Sequence, residues 1–171
     1  FLATMLQVER SHIPFPDEPP IQFPPTATWK QITNLRKDKY ESSGGPSLRQ
    51  VAGVLATAAD PDSLEELLRV TVINVLVGNC DAHGKNYSLI HERNGALRLA
   101  PLYDLLSTRL YPQLSTRLAM YIDSVQKIDG VTGDGIVNEA VRWGMGRERA
   151  RAVVSGVLAN APEALAEAEA A

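Results

Sequence analysis

The chain has 171 residues, 44% hydrophobic and 22% charged, with a net charge of -3 and a pI near 5.6. That length and composition suit one globular domain with a real core, and the acidic balance excludes a broad electrostatic footprint for nucleic acid. A lone cysteine, Cys80, cannot close an internal disulfide, and no apolar run approaches the roughly 20 residues that span a bilayer, so the chain reads as cytoplasmic and dependent on its core.

Taken in order, Phe1 to Glu9 reads as a strand. Its apolar start lacks the basic region and cleavage site of a signal peptide, and a chain opening on Phe1 is expected to be a fragment. Residues 11–28 hold six of the eleven prolines, namely Pro14, Pro16, Pro19, Pro20, Pro24 and Pro25. So many fixed φ angles and missing amides forbid a regular helix or a central strand, which makes this stretch a linker. Residues 29–38 are a weak helical segment. Ser42-Ser43-Gly44-Gly45-Pro46 is a turn, and Ser47 caps a helix to about Ala58 with Leu48, Val51, Val54 and Leu55 at helical spacing.

Asp60-Pro61-Asp62-Ser63 opens the next helix. Leu64, Leu67, Leu68, Thr71, Val72, Val75 and Leu76 recur at three and four residues, the pattern of a buried helix that Gly78 ends. Tyr87 to His91 and Ala96 to Leu102 read as two strands joined by Glu92-Arg93-Asn94-Gly95, which contains the Asn-Gly hairpin signal. Residues 117–122 suggest a further short strand, and Thr132 to Gly135 a turn. Helices follow at about 136–143, 147–158 and 162–170. The whole is mostly α with a small β-hairpin.

The chemistry gathers around that hairpin. A polar loop after Gly78 holds Asp81, His83, Lys85 and Asn86, and the hairpin returns the chain to Asp104. A short hairpin brings its ends together, so Asn86 and Asp104 should be neighbours. Two oxygen ligands, with waters and phosphate oxygens, make a sparse magnesium site. Asp81 precedes Asn86 by five positions, the spacing of the kinase catalytic loop, in which the Asp handles the substrate hydroxyl and the Asn binds metal. Phosphoryl transfer needs held phosphates and a positioned nucleophile more than covalent help, and these residues can supply both. His83 is either a phosphate contact or a loop histidine bonded to backbone. Lys85 is either a phosphate contact or a solvated side chain. Cys80 reads as a small buried filler and Tyr103 as packing beneath Asp104, while His12 and His91 read as incidental.

At these residues the sequence resembles the HipA family of bacterial serine/threonine kinase toxins. The resemblance rests on Lys39-Tyr40-Glu41-Ser42-Ser43-Gly44-Gly45-Pro46, on Gly78 to Ser88, on Leu99 to Ser107 and on Leu118-Ala119-Met120, in the family's order and over about residues 39–160. It implies a protein-kinase-like C-lobe over 39–171, with the N-lobe largely absent, and ATP and Mg²⁺ as cofactors. It implies Asp81 as catalytic base, His83 as the phosphate-contacting histidine, and Asn86 and Asp104 as metal ligands. Val8-Glu9-Arg10 is similar to the end of the hinge strand that reads adenine, which makes Glu9 a cofactor contact and 1–10 the hinge strand. Lys39 and Tyr40 match family positions without an assigned role. The family implies a HipB-like helix-turn-helix antitoxin as partner, operator DNA reached only through it, and a protein substrate such as an aminoacyl-tRNA synthetase, with autophosphorylation.

Two departures set limits. No phosphate-gripping loop and no strand Lys paired with a helix Glu precede residue 1, and Ser11-His12-Ile13 with the proline run replaces the expected segment after the hinge. The fragment alone is therefore expected to bind ATP poorly. Two other readings are a non-catalytic lobe that binds an antitoxin, and a metal-dependent hydrolase using Asp81, His83, His91 and Asp104, whose ligand spacing is poor.

Overall fold

A computed structural model describes residues 38–59, 62–91 and 97–170. The expected hinge strand with Glu9, the proline-rich linker, the helical segment up to residue 37 and the Asn-Gly turn all lie outside the described residues. Among the described residues the fold has four α-helices and two small antiparallel hairpins: α1 (Leu48–Ala58), α2 (Ser63–Leu76), β1 (Leu89–His91), β2 (Leu97–Leu99), β3 (Arg117–Ile122), β4 (Val125–Lys127), α3 (Gly133–Arg142) and α4 (Arg147–Ala170). No helix among the described residues is long and apolar enough to cross a membrane.

Helix α1 starts where its cap dictates. The Ser47 hydroxyl accepts from the Gln50 amide at 3.3 Å, and the Gln50 side chain accepts from the Ser47 amide at 2.9 Å. This reciprocal box satisfies two amides that the helix cannot serve itself. Helix α2 is the centre of the fold. Leu67 and Leu68 are fully buried, and Val70, Thr71, Val72 and Asn74 are buried with them. Two polar groups survive there because each bonds the carbonyl four residues back: Thr71 Oγ1 to Leu67 at 2.8 Å and Asn74 Nδ2 to Val70 at 3.0 Å. Leu76, expected on the buried stripe, is 47% exposed, because the stripe drifts round the helix and Val70 and Asn74 take the inner positions.

Helix α4 packs on α2 and α3, while β3 lies against α1 and α3. Leu48, Leu55, Leu67, Leu68, Val72, Leu118, Met120, Ile136, Ala140, Trp143 and Val154 share one core. Residues 147–158 and 162–170 are one helix rather than two, running through Pro162. Pro162 deprives the carbonyl four residues back of its donor, a small cost here because Leu158 and the following turn are exposed to water. Helix α3 begins at Gly133 instead of 136. Thr132 Oγ1 accepts from the Gly135 amide at 3.1 Å, so the segment read as a turn is a cap and first helical turn.

The first hairpin pairs Leu89 with Leu99, Ile90 with Arg98 and His91 with Leu97, a shorter ladder than expected. The second hairpin, β3–β4, was expected as a lone strand. Its turn is Asp123-Ser124, both at positive φ (48° and 67°). Behind β3, the Glu41 carboxylate accepts from the Tyr121 amide at 2.6 Å. Burial pushes the Glu41 carboxyl above its ordinary 4.5, the Tyr121 amide opposes that, and the Glu139 charge adds to it. A raised carboxyl penalises the folded state once ionised. The penalty is absent below 4.5 and grows as pH rises through the folded value. Glu41→Gln keeps an acceptor for Tyr121 and is expected to melt higher than the parent near neutral pH, with the gain vanishing in acid. Melting followed by circular dichroism across that range checks the sign.

Candidate active site

The site is built on the end of α2 and the loop that follows. Gly78 turns the chain at φ 74°, a left-handed angle that glycine adopts without steric cost. A side chain there would also meet Arg109 Cβ at 2.9 Å, so glycine is required twice over. The loop is then suspended from α2. Asn79 Nδ2 donates to Asn74 Oδ1 at 2.8 Å, and Asn79 Oδ1 accepts from the Asp81 amide at 3.1 Å. Both asparagines are buried, so the Asp81 backbone is tied to the core through satisfied polar groups. On the other side Thr108 Oγ1 accepts from the Cys80 amide at 2.8 Å and donates to the Gly78 carbonyl at 3.1 Å, and the Cys80 carbonyl accepts from the Ala119 amide at 2.8 Å. Cys80 itself is buried, 5% exposed, as expected of a filler.

Asn86 and Asp104 meet as the hairpin geometry requires. Asn86 Nδ2 donates to Asp104 Oδ2 at 2.7 Å, and Asn86 Oδ1 accepts from the His83 amide at 2.9 Å. Asp104 is held at φ 58°, a left-handed angle that Asp tolerates better than most side chains. Asn86 is buried and Asp104 exposed, so the pair sits at the rim of the fold. Tyr103 does not pack beneath Asp104. It is 40% exposed, and its hydroxyl donates to the Lys85 carbonyl at 2.6 Å and lies 2.8 Å from Ser88 Oγ. A phenol at this position ties the chain entering Asp104 to the loop that carries Asn86, which explains why its ring stays outside the core.

Asp81 lies in the same loop with its side chain 45% exposed, and Lys39 Nζ stands 3.6 Å from its Oδ1. His83 is 8% exposed, with its ring edge-on to Tyr40 at 6.1 Å between centroids. Its Nδ1 is the one buried side-chain polar atom without a partner among the described residues. Lys85 is exposed. A cleft of about 350 Å³ opens beside Asp81, lined by Tyr40, Leu106, Thr108, Leu114 and Arg117 among others. Among the described residues no three His, Cys, Asp or Glu side chains gather as a metal cluster, so Asp81, His83 and Asp104 of the hydrolase set do not form one, and the His91 side chain lies outside the described residues.

The arrangement can do two things. Asn86 turns its amide nitrogen to Asp104 and its oxygen to the His83 amide, so an amide oxygen and a carboxylate, hard donors of the kind that suit magnesium, belong to two side chains in direct contact. Asp81 offers a solvent-facing carboxylate at the mouth of a cleft, able to accept a proton. Sequence reasoning missed the Asn74–Asn79 relay and the Lys39–Asp81 pair. The first could have been sought in the buried polar position of α2, since a buried Asn must find a partner. For the second, only family position pointed to Lys39.

A family model described as the HipA-like C-terminal domain matches residues 22–165. The chain is 36% identical over 130 residues to "Putative kinase Y4mE" of Sinorhizobium fredii, covering 75% of this chain and 31% of that protein. It is 34% identical over 88 residues to "Serine/threonine-protein kinase toxin HipA" of Shewanella oneidensis, covering 51% of this chain and 20% of that protein. Among solved structures, HipA in the Shewanella oneidensis MR-1 complex of HipA, HipB and operator DNA superposes with a TM-score of 0.68 at 27% identity, over 76% of this chain and 33% of that one. The chain thus spans a third or less of the length of these relatives. Fold, family model and relatives agree, and the chain belongs to the HipA-like C-terminal domain family.

Proposed function

We propose that this chain is the catalytic C-lobe, residues 39–171, of a cytoplasmic serine/threonine protein kinase that uses ATP and Mg²⁺. The observation that carries this reading is the Asn86–Asp104 contact at 2.7 Å, with Asp81 five positions upstream of Asn86 in the same loop. The residues fit the metal. An amide oxygen has two lone pairs, so Asn86 Oδ1 can keep the His83 amide and still serve as a ligand, with Asp104 supplying the charge. Magnesium, when bound, holds phosphate oxygens and neutralises charge that develops on them. Asp81 accepts the proton of the acceptor hydroxyl, or orients that hydroxyl for attack. His83, whose Nδ1 is buried without a partner among the described residues, is assigned to phosphate on resemblance, and Lys85, exposed two positions further on, is the second contact. Glu9 is assigned to adenine on resemblance alone.

The parent protein is proposed to act on a protein hydroxyl, such as that of an aminoacyl-tRNA synthetase, and on itself. It is proposed to be held by a HipB-like antitoxin, and DNA would enter through that partner. The test is incubation of the full-length protein with ATP and Mg²⁺, read by intact mass. The parent is expected to gain phosphate, and Asp81→Asn to slow this by about 100- to 10,000-fold, the usual worth of a general base. Undiminished incorporation in the variant would remove Asp81 from the mechanism.

A further inference from the structure

The segment Lys39 to Pro46 has no place in the chemistry above, yet it touches the active loop at Asp81, His83 and Gly84. Pro46 packs against Gly84, and the Tyr40 ring stands edge-on to His83. Lys39 Nζ lies 4.6 Å from the centre of the Tyr40 ring and 3.6 Å from Asp81 Oδ1. Tyr40 is fixed in turn: its carbonyl accepts from the Ser43 amide at 3.0 Å and the Gly45 amide at 2.8 Å, and Gly45 runs so close that a side chain there would strike the Tyr40 carbonyl.

We propose that Lys39 is a positioning residue that orients the Asp81 carboxylate toward the acceptor hydroxyl, an inference that rests on reading Asp81 as the base. An exposed aspartate turns freely about its side-chain bonds, and among the described residues Lys39 is the side chain paired with this carboxylate. At 3.6 Å the pair is a point-charge contact rather than a tight hydrogen bond, and with the groups 37% and 45% exposed it adds little to stability. Its geometry is nevertheless preset, because the Tyr40 face holds the ammonium by cation–π attraction before any substrate arrives. The lysine stays protonated: the Tyr40 hydroxyl raises it above its ordinary value, burial opposes this, and the Asp81 charge adds to the rise. A fixed cation on one carboxylate oxygen leaves the other available, and Asp81 lines the cleft.

The test uses the full-length protein with ATP and Mg²⁺ and measures initial rates of phosphate incorporation at varied ATP. Lys39→Met is expected to lower kcat about 10- to 100-fold, the scale of a misplaced reacting group, with the KM for ATP unchanged. Lys39→Arg, which can keep both the charge and the stacking, should recover most of the rate. In an Asp81→Asn background Lys39→Met should cost nothing further, because both changes remove one interaction. A wild-type rate in Lys39→Met overturns the proposal, as does a loss carried by the KM for ATP or a full additive loss in the double variant. If Asp81→Asn alone is without effect, the reading of Asp81 fails first. A measurement without ATP separates the two failures: acetic anhydride should label Lys39 faster in Asp81→Asn than in the parent, relative to Lys85 and Lys127. Equal labelling overturns the ion pair itself, whatever Asp81 does.

Discussion

Asp104→Asn is expected to keep the fold and lower phosphoryl transfer by about 100- to 1,000-fold, the scale seen when one group that stabilises transition-state charge is lost. The choice of Asn follows from the backbone. Asp104 sits at φ 58°, where Asn is tolerated and a residue such as Ala would add strain of about 1–3 kcal/mol. Asn also retains an oxygen to accept from Asn86 Nδ2, now at 2.7 Å. The side chain is exposed, so nothing is left buried and unpaired. Stability should stay within about 0.5 kcal/mol of the parent, as for most surface changes. What changes is charge, and with it the proposed hold on magnesium. The variant should need more Mg²⁺ for half its maximal rate, which separates a weakened metal site from a damaged fold. Parent-like magnesium dependence and rate would exclude Asp104 as a ligand.

That contact was legible in the sequence for a local reason. The Asn-Gly signal and the two flanking apolar runs specify a hairpin, and a hairpin of known register places its two ends side by side, as the Leu89–Leu99 pairing does. The buried helix before it was legible from apolar spacing, and α1 from its Ser47 cap. The rest lacked a local signature. The β3–β4 turn uses Asp123-Ser124 at positive φ, without the glycine that marks such turns, and β3 is buried on successive residues rather than alternating. The tie from Glu41 to Tyr121 joins positions 80 apart, and no periodicity encodes it. Thr132-Gly133-Asp134-Gly135 reads as a turn because glycine dominates it, whereas the deciding atom is the Thr132 hydroxyl.

The same long-range blindness hid the role of Gly84, whose replacement carries the second large effect. Gly84 lies between His83 and Asn86, and a Cβ placed on it would overlap Cγ of Pro46. The obstacle is a buried ring with few ways to yield, unlike the end of a long side chain. Gly84→Ala must therefore push the loop away from residues 39–46, at a cost of about 1–3 kcal/mol for an overpacked contact. The displacement falls on the loop that links Asp81 to Asn86, so activity should fall along with melting temperature. A second change tests the cause. Pro46→Ala removes the offending Cγ, and Gly84→Ala combined with Pro46→Ala should be more stable than Gly84→Ala alone, a coupling that independent sites would not show. Measured by denaturant unfolding, strict additivity would mean that the segment at 39–46 does not brace the loop. Recovery of both stability and phosphate incorporation in the pair would show that the position of this loop, set from outside by Pro46, is what Gly84 protects.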